Sequence, residues 1–207
     1  MNEAGGILGP GGPDAWHRFR GRTVGAIVLA GFGAYSMYWW ILAAIPTGRR
    51  AWFVAIAAIT AIFLAWSITQ LATFGPVPKS DFNKVYRRFY AIRFGIILAI
   101  EVAAISLAGP VLDHFQRKDL IPQWIDAVVG FHFLPLARLF KLPLYYATAV
   151  AILLFSLGSL LIPPGSLRDA TNAGGTGLSL WISCFVILSK NPSYLPAKTG
   201  PCVSSAE

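Results

Sequence analysis

Long apolar runs separated by short charged stretches dominate the chain. Residues 23–45 and 51–75 carry no Asp, Glu, Lys or Arg, and Gly75-Pro76 breaks the second run. Residues 142–167 are also uncharged, with Pro163-Pro164-Gly165 near their end, as are 170–189 between Asp169 and Lys190. A helix rises about 1.5 Å per residue, so crossing ~30 Å of hydrocarbon takes roughly 20 apolar residues. These four runs therefore predict spanning helices. A fifth, about 90–111, holds Glu101 near its middle, and a sixth, 120–138, contains Asp126 and His132 with prolines at 122 and 135.

Composition agrees with the pattern. Of 207 residues, 56% are hydrophobic and 13% charged, with a mean hydropathy of +0.60. Ordinary globular domains carry about 25% charged residues, so a soluble domain is excluded. The net charge of +8 would fit a nucleic-acid partner, but the seventeen Lys and Arg lie almost wholly between apolar runs. There they read as topology determinants beside anionic lipid, and no nucleic acid is expected. Cys184 and Cys202 have no spacing for a disulfide scaffold or a metal site.

Charge asymmetry sets the expected topology. With six spans and the N-terminus inside, twelve Lys and Arg fall on the inner side and five on the outer. If 120–138 does not cross, the count becomes nine against eight. Cytoplasmic loops favour Lys and Arg, so the sequence predicts an all-α, polytopic transmembrane bundle of six spans with both termini cytoplasmic. A re-entrant 120–138 is the alternative. The expected organisation is a flexible basic cytoplasmic arm over 1–22, a membrane domain over 23–189 and a disordered cytoplasmic tail over 190–207. Its spans are 23–45, 51–75, 90–111, 120–138, 142–163 and 170–189. The expected location is the cell inner membrane. Tyr38, Trp39, Trp40, Trp52 and Phe53 would sit at headgroup level near the first loop.

Helices in lipid associate through close packing and a few polar contacts. Ala26, Ala30 and Ala34 line one face of the first span, and Ala57, Ala61 and Ala65 one face of the second. These faces predict that the two spans pair. Gly174, Gly175 and Gly177 follow no strand and lack the Lys and Ser/Thr of a phosphate loop; they read as a loose helix start.

The residues that carry candidate chemistry are Glu101, Asp126 and His132. A charge at a helix centre costs about 2.5–3.5 kcal/mol even on the lenient insertion scale, so each must be neutral or partnered. Counted from the expected inner helix ends, Glu101 lies ~16 Å up, Asp126 ~18 Å and His132 ~9 Å. The two carboxyls could then face each other across spans 3 and 4 and share a proton or a cation, with His132 opening toward the cytoplasm. His132 is six positions from Asp126, about 120° around the helix. Two plainer alternatives stand beside this relay: packing hydrogen bonds to partners such as Tyr145 or Ser106, and exposure of Asp126 to outer-leaflet water.

No HExxH, GxSxG, Cys pair or paired-His constellation is present, so neither an enzyme nor a cofactor or metal is expected. Pro135 can kink its span and free a carbonyl near Phe131, which suits a hinge or a plain helix end. The stretch Gly130-Phe131-His132-Phe133-Leu134-Pro135-Leu136-Ala137-Arg138-Leu139-Phe140, with Lys141 to Tyr146, resembles a segment of small multi-span bacterial membrane proteins. That resemblance implies six membrane helices and no established activity. The sequence thus points to small-solute or proton-coupled transport through a polar site between spans 3 and 4. A non-catalytic structural or partner-binding subunit is the alternative. The lipid bilayer is the expected partner, and a homo-oligomer or another membrane protein is compatible with it.

Overall fold

The computed structural model describes residues 13–72 and 81–190, and within them it is a bundle of six α-helices with no strand. These are α1 (Pro13–Ala44), α2 (Arg49–Ala72), α3 (Asp81–His114), α4 (Ile121–Phe140), α5 (Leu144–Ser159) and α6 (Ser166–Ser189), with a 3₁₀ turn at Lys118–Leu120 ahead of α4. Five stretches are long and apolar enough to cross a membrane. The chain is accordingly a helical membrane protein.

Several boundaries differ from expectation. α1 begins at Pro13, so residues 13–22 of the expected flexible arm continue the helix. The expected tail beyond 190, residues 1–12 and the end of the second run lie outside the described residues. α3 runs from Asp81 to His114, well past both ends of 90–111. α4 is one continuous helix through Pro135, and Lys118–Phe140 is long and apolar enough to cross a membrane. α5 is short, with 16 residues. Beyond it, i→i+3 bonds from Leu160, Leu161 and Ile162 tighten the backbone before Pro163-Pro164 stops it, because proline supplies no N–H.

The helix ends explain the tight turns. Gly48 adopts φ +71° between α1 and α2, where a side chain would be strained. The Arg49 guanidinium donates to the Ile45 and Leu42 carbonyls, closing orphan acceptors at the end of α1. α4 ends with Lys141 in the left-handed region and Leu142 N–H bonded to Ala137 O at 3.0 Å, the pattern that satisfies a helix's last carbonyls.

α6 is the centre of the bundle and touches α1, α5, α4 and α2, whereas α3 rests chiefly on α4. The longest seam is α1 against α6. A Cβ on Gly177 would lie 3.1 Å from the Gly33 carbonyl oxygen and 2.9 Å from Met37 Cγ, so glycine is what lets these backbones approach. The expected loose helix start is therefore wrong: Gly174, Gly175 and Gly177 lie inside α6, and packing requires them small.

The alanine faces also behave differently from expectation. α1 and α2 do pack as neighbours, with Tyr38 against Phe53 (centroids 5.3 Å) and Trp40 against Trp52 (5.6 Å) near their turn. Yet Ala26 and Ala30 are buried against α6, where Cys184 Sγ and Trp181 Nε1 reach their carbonyls, each at 3.3 Å. Ala57, Ala61 and Ala65 remain exposed. A short turn brings α1 and α2 together whatever face each presents, and Ala26 and Ala30 of α1 turn to Cys184 and Trp181 of α6. Ile59, Ile62, Ile96, Leu98, Ile100 and Leu107 point outward from α2 and α3. That surface is tenable in lipid and not in water.

Candidate functional site

α4 holds two of the three predicted residues and decides what they meet. Its sequence alternates large apolar residues with Gln123, Asp126 and His132, so different polar groups leave the helix in different directions. Because Asp126 and His132 lie about 120° apart, only one can face α3. His132 does. Its Nδ1 is 3.1 Å from Glu101 Oε2, and both side chains are only about one-tenth exposed (10% and 11%). The ring nitrogen makes no aligned hydrogen bond, so the pair meets within charge range without a formed donor–acceptor bond. Trp124 Nε1 donates to Ala104 O at 3.0 Å on the same seam, and Phe94 meets Phe140 at its other end (6.3 Å).

Asp126 faces α6 instead. Thr176 Oγ1 donates to its Oδ2 at 3.0 Å, and the Asn172 amide, one turn earlier on α6, also reaches this carboxylate. The predicted meeting of Glu101 with Asp126 is thus corrected. Levels counted from the inner ends misplaced the helices, because α3 and α4 extend past Tyr90 and Arg138. Register is set at the other end, by the tight connection between His114 and Ile121. Counted from there, Glu101 is 13 residues back and His132 is 11 residues on, at one level. Tyr145, an expected packing partner, sits instead against Phe133 (5.5 Å) and Phe140 (6.3 Å).

A second polar group escaped the sequence reading. Arg168, expected in an outer loop, lies in the first turn of α6 and is 3% exposed. Its Nη2 donates to Asp119 O (2.8 Å) and Oδ2 (3.0 Å). Deeper, Gln123 Nε2 reaches Asp169 Oδ1 at 3.4 Å, and Ser156 Oγ donates to Gln123 O at 2.7 Å. Farther along α6, Ser179 bonds Gly175 O (2.7 Å), Ser183 bonds Ser179 O (2.8 Å), and Thr148 Oγ1 meets Ser183 Oγ (2.6 Å). The sequence signal was the spacing of Arg168, Asn172, Thr176, Ser179 and Ser183, steps of four, four, three and four that fall on one helical face.

Chemically, the α3–α4 seam holds an acid beside a base, 3.1 Å apart. Pro135 lies one turn beyond His132 in the same helix. Among the described residues, no group of three or more His, Cys, Asp or Glu gathers as a metal site would require. The class these features define is a helical membrane bundle with polar groups buried on two faces of α4. The chain matches no protein-family model, and no curated protein and no solved structure matches it.

Proposed function

We propose that this protein couples proton movement to the passage of a small solute or ion along the α3–α4 seam. The observation that carries the proposal is the buried contact of Glu101 with His132 at 3.1 Å. Ionisable groups at membrane depth are expensive to keep and mark ion and proton paths. A carboxyl and an imidazole at this distance can hold one proton between them and release it as their surroundings change. Pro135, which removes one backbone bond near His132, gives the helix a place to bend. The proposed setting is the cell inner membrane with both termini cytoplasmic, and the chemistry needs no cofactor and no catalytic residue.

Fluorescence of a pH-sensitive dye in inverted membrane vesicles tests this. Challenge with a panel of small cations and solutes should collapse an imposed proton gradient in vesicles containing the protein. Glu101→Gln and His132→Ala, expressed at equal abundance, should reduce that collapse about a hundredfold or more, the order of loss for a removed proton-transfer group. Vesicles that respond identically with and without these substitutions would rule the reading out. A second reading, a non-catalytic partner-binding subunit, is favoured by the exposed face of Ala57, Ala61 and Ala65 on α2, since small residues admit another helix closely. It predicts indifference to both Glu101 and His132.

A further inference from the structure

We infer that Asp126, Gln123, Asn172 and Thr176 form a binding site for one small monovalent cation, sodium by the chemistry of its ligands, on the α4–α6 face. This site is separate from the Glu101–His132 pair and does not depend on the proton reading. Asn172 Oδ1 and Gln123 Oε1 are buried carbonyl oxygens with no hydrogen-bond partner, in side chains 1% and 4% exposed. Such acceptors are costly to leave unmet in a protein interior.

Their orientation is fixed by neighbours. The Asn172 amide serves the Asp126 carboxylate, and Gln123 Nε2 points to Asp169 Oδ1. An amide carries donors at one end and an acceptor at the other. Turning either over would set its carbonyl against a carboxylate. Both groups therefore give their donors to acids and keep their carbonyl oxygens free. Gln123 and Asp126 lie three apart on α4, and Asn172 and Thr176 four apart on α6, so each pair shares a helix face. One carboxylate, two amide carbonyls and one hydroxyl thus lie on the facing sides of α4 and α6, which the Thr176–Asp126 and Gln123–Asp169 contacts hold together.

Charge selects the occupant. Asp169 sits in the first turn of α6, half-buried, where the helix N-terminus stabilises a carboxylate. Arg168 is engaged with Asp119. His132 leaves α4 on another side, toward Glu101. Asp126 is left with hydroxyl and amide partners, and among the described residues no cationic side chain pairs with it, so one positive charge balances the site. All the donors are hard oxygens, which suits an alkali or alkaline-earth ion over a transition metal, and the single unbalanced carboxylate favours the monovalent ion.

Thermal unfolding of the purified full chain, in NaCl or choline chloride at equal ionic strength, provides the test. The wild type should gain about 3 °C or more with sodium, in a saturating curve, and nothing with choline. Glu101→Gln should keep that gain, while Asp126→Asn and Asn172→Leu should lose it. Radioactive sodium binding to the wild type, displaced by unlabelled NaCl at about one ion per chain, supplies a readout that does not depend on any variant folding. Absence of displaceable sodium would overturn the site, as would a sodium gain undiminished in folded Asp126→Asn or Thr176→Val. Because binding is read without any flux, its failure is distinguishable from failure of the proton reading.

Discussion

Replacing Glu101 and His132 by leucine, singly and together, measures how strongly their contact holds α3 to the bundle. At 3.1 Å, a full charge pair has a gross attraction of about 5 kcal/mol at an effective dielectric of ~20. Desolvation offsets most of that. Polar pairs between membrane helices couple by about 0.6 kcal/mol on average and about 1.7 at most. The low exposure of both side chains, 10% and 11%, raises the expectation above that average, and the missing ring hydrogen bond keeps it below the maximum. The expected coupling is about 1–1.5 kcal/mol, a roughly 5- to 12-fold effect on the unfolding constant.

The order of the variants is more telling than the sum. His132→Leu leaves a carboxyl facing leucine in the seam, whereas Glu101→Leu leaves an imidazole that can be neutral without a partner. The double variant should therefore be more stable than His132→Leu alone. Equilibrium unfolding in mixed micelles, followed by tryptophan fluorescence and circular dichroism, reads all four proteins. Losses that add within about 0.3 kcal/mol would refute the contact as an energetic link.

Five further substitutions test the same structure. Gly177→Val should destabilise by about 1–3 kcal/mol through overpacking against Gly33 and Met37. Gly95→Ala, where a Cβ meets nothing within 4 Å, should be neutral or stabilising by roughly 1 kcal/mol; unfolding midpoints compare them. Arg168→Met should cost less than Asp119→Asn, because Asp119 is part-exposed and keeps Arg117 at 3.3 Å, whereas Asp119→Asn leaves the buried Arg168 guanidinium without its counter-charge; melting in detergent would register the order. Pro135→Ala restores an N–H toward the Phe131 carbonyl and should stabilise α4 by about 1 kcal/mol, while slowing any transport that uses the bend.

Much of this architecture was legible because lipid imposes a simple length rule. Every apolar run became a helix, and the doubtful 120–138 segment became α4, whose mix of apolar residues with Asp126 and His132 reflects a helix with protein on several sides. The faces were less legible. The alanines of α1 signalled close approach, but a small face names no partner, and Ala26 and Ala30 met α6 instead of α2. The three ionisable residues were visible as exceptions to the apolar pattern. Which of them touch was not, because register comes from the connection between α3 and α4, while charge counting marks only where helices leave the membrane. Arg168 looked like a loop cation because it precedes an uncharged run; α6 starting at Ser166 carries it inside. Asn172 and Thr176 are neutral and carry no charge signal, and only their helical spacing with Ser179 and Ser183 betrays the polar face.

Thiol cross-linking with short bifunctional reagents, in a background where Cys184 and Cys202 are replaced by serine, tests most directly whether α4 turns His132 to α3 and Asp126 to α6. Glu101→Cys paired with His132→Cys should cross-link, and so should Asp126→Cys paired with Thr176→Cys. Glu101→Cys paired with Asp126→Cys should not. Efficient linkage of that last pair, with neither of the others reacting, would contradict the arrangement on which both proposed sites stand.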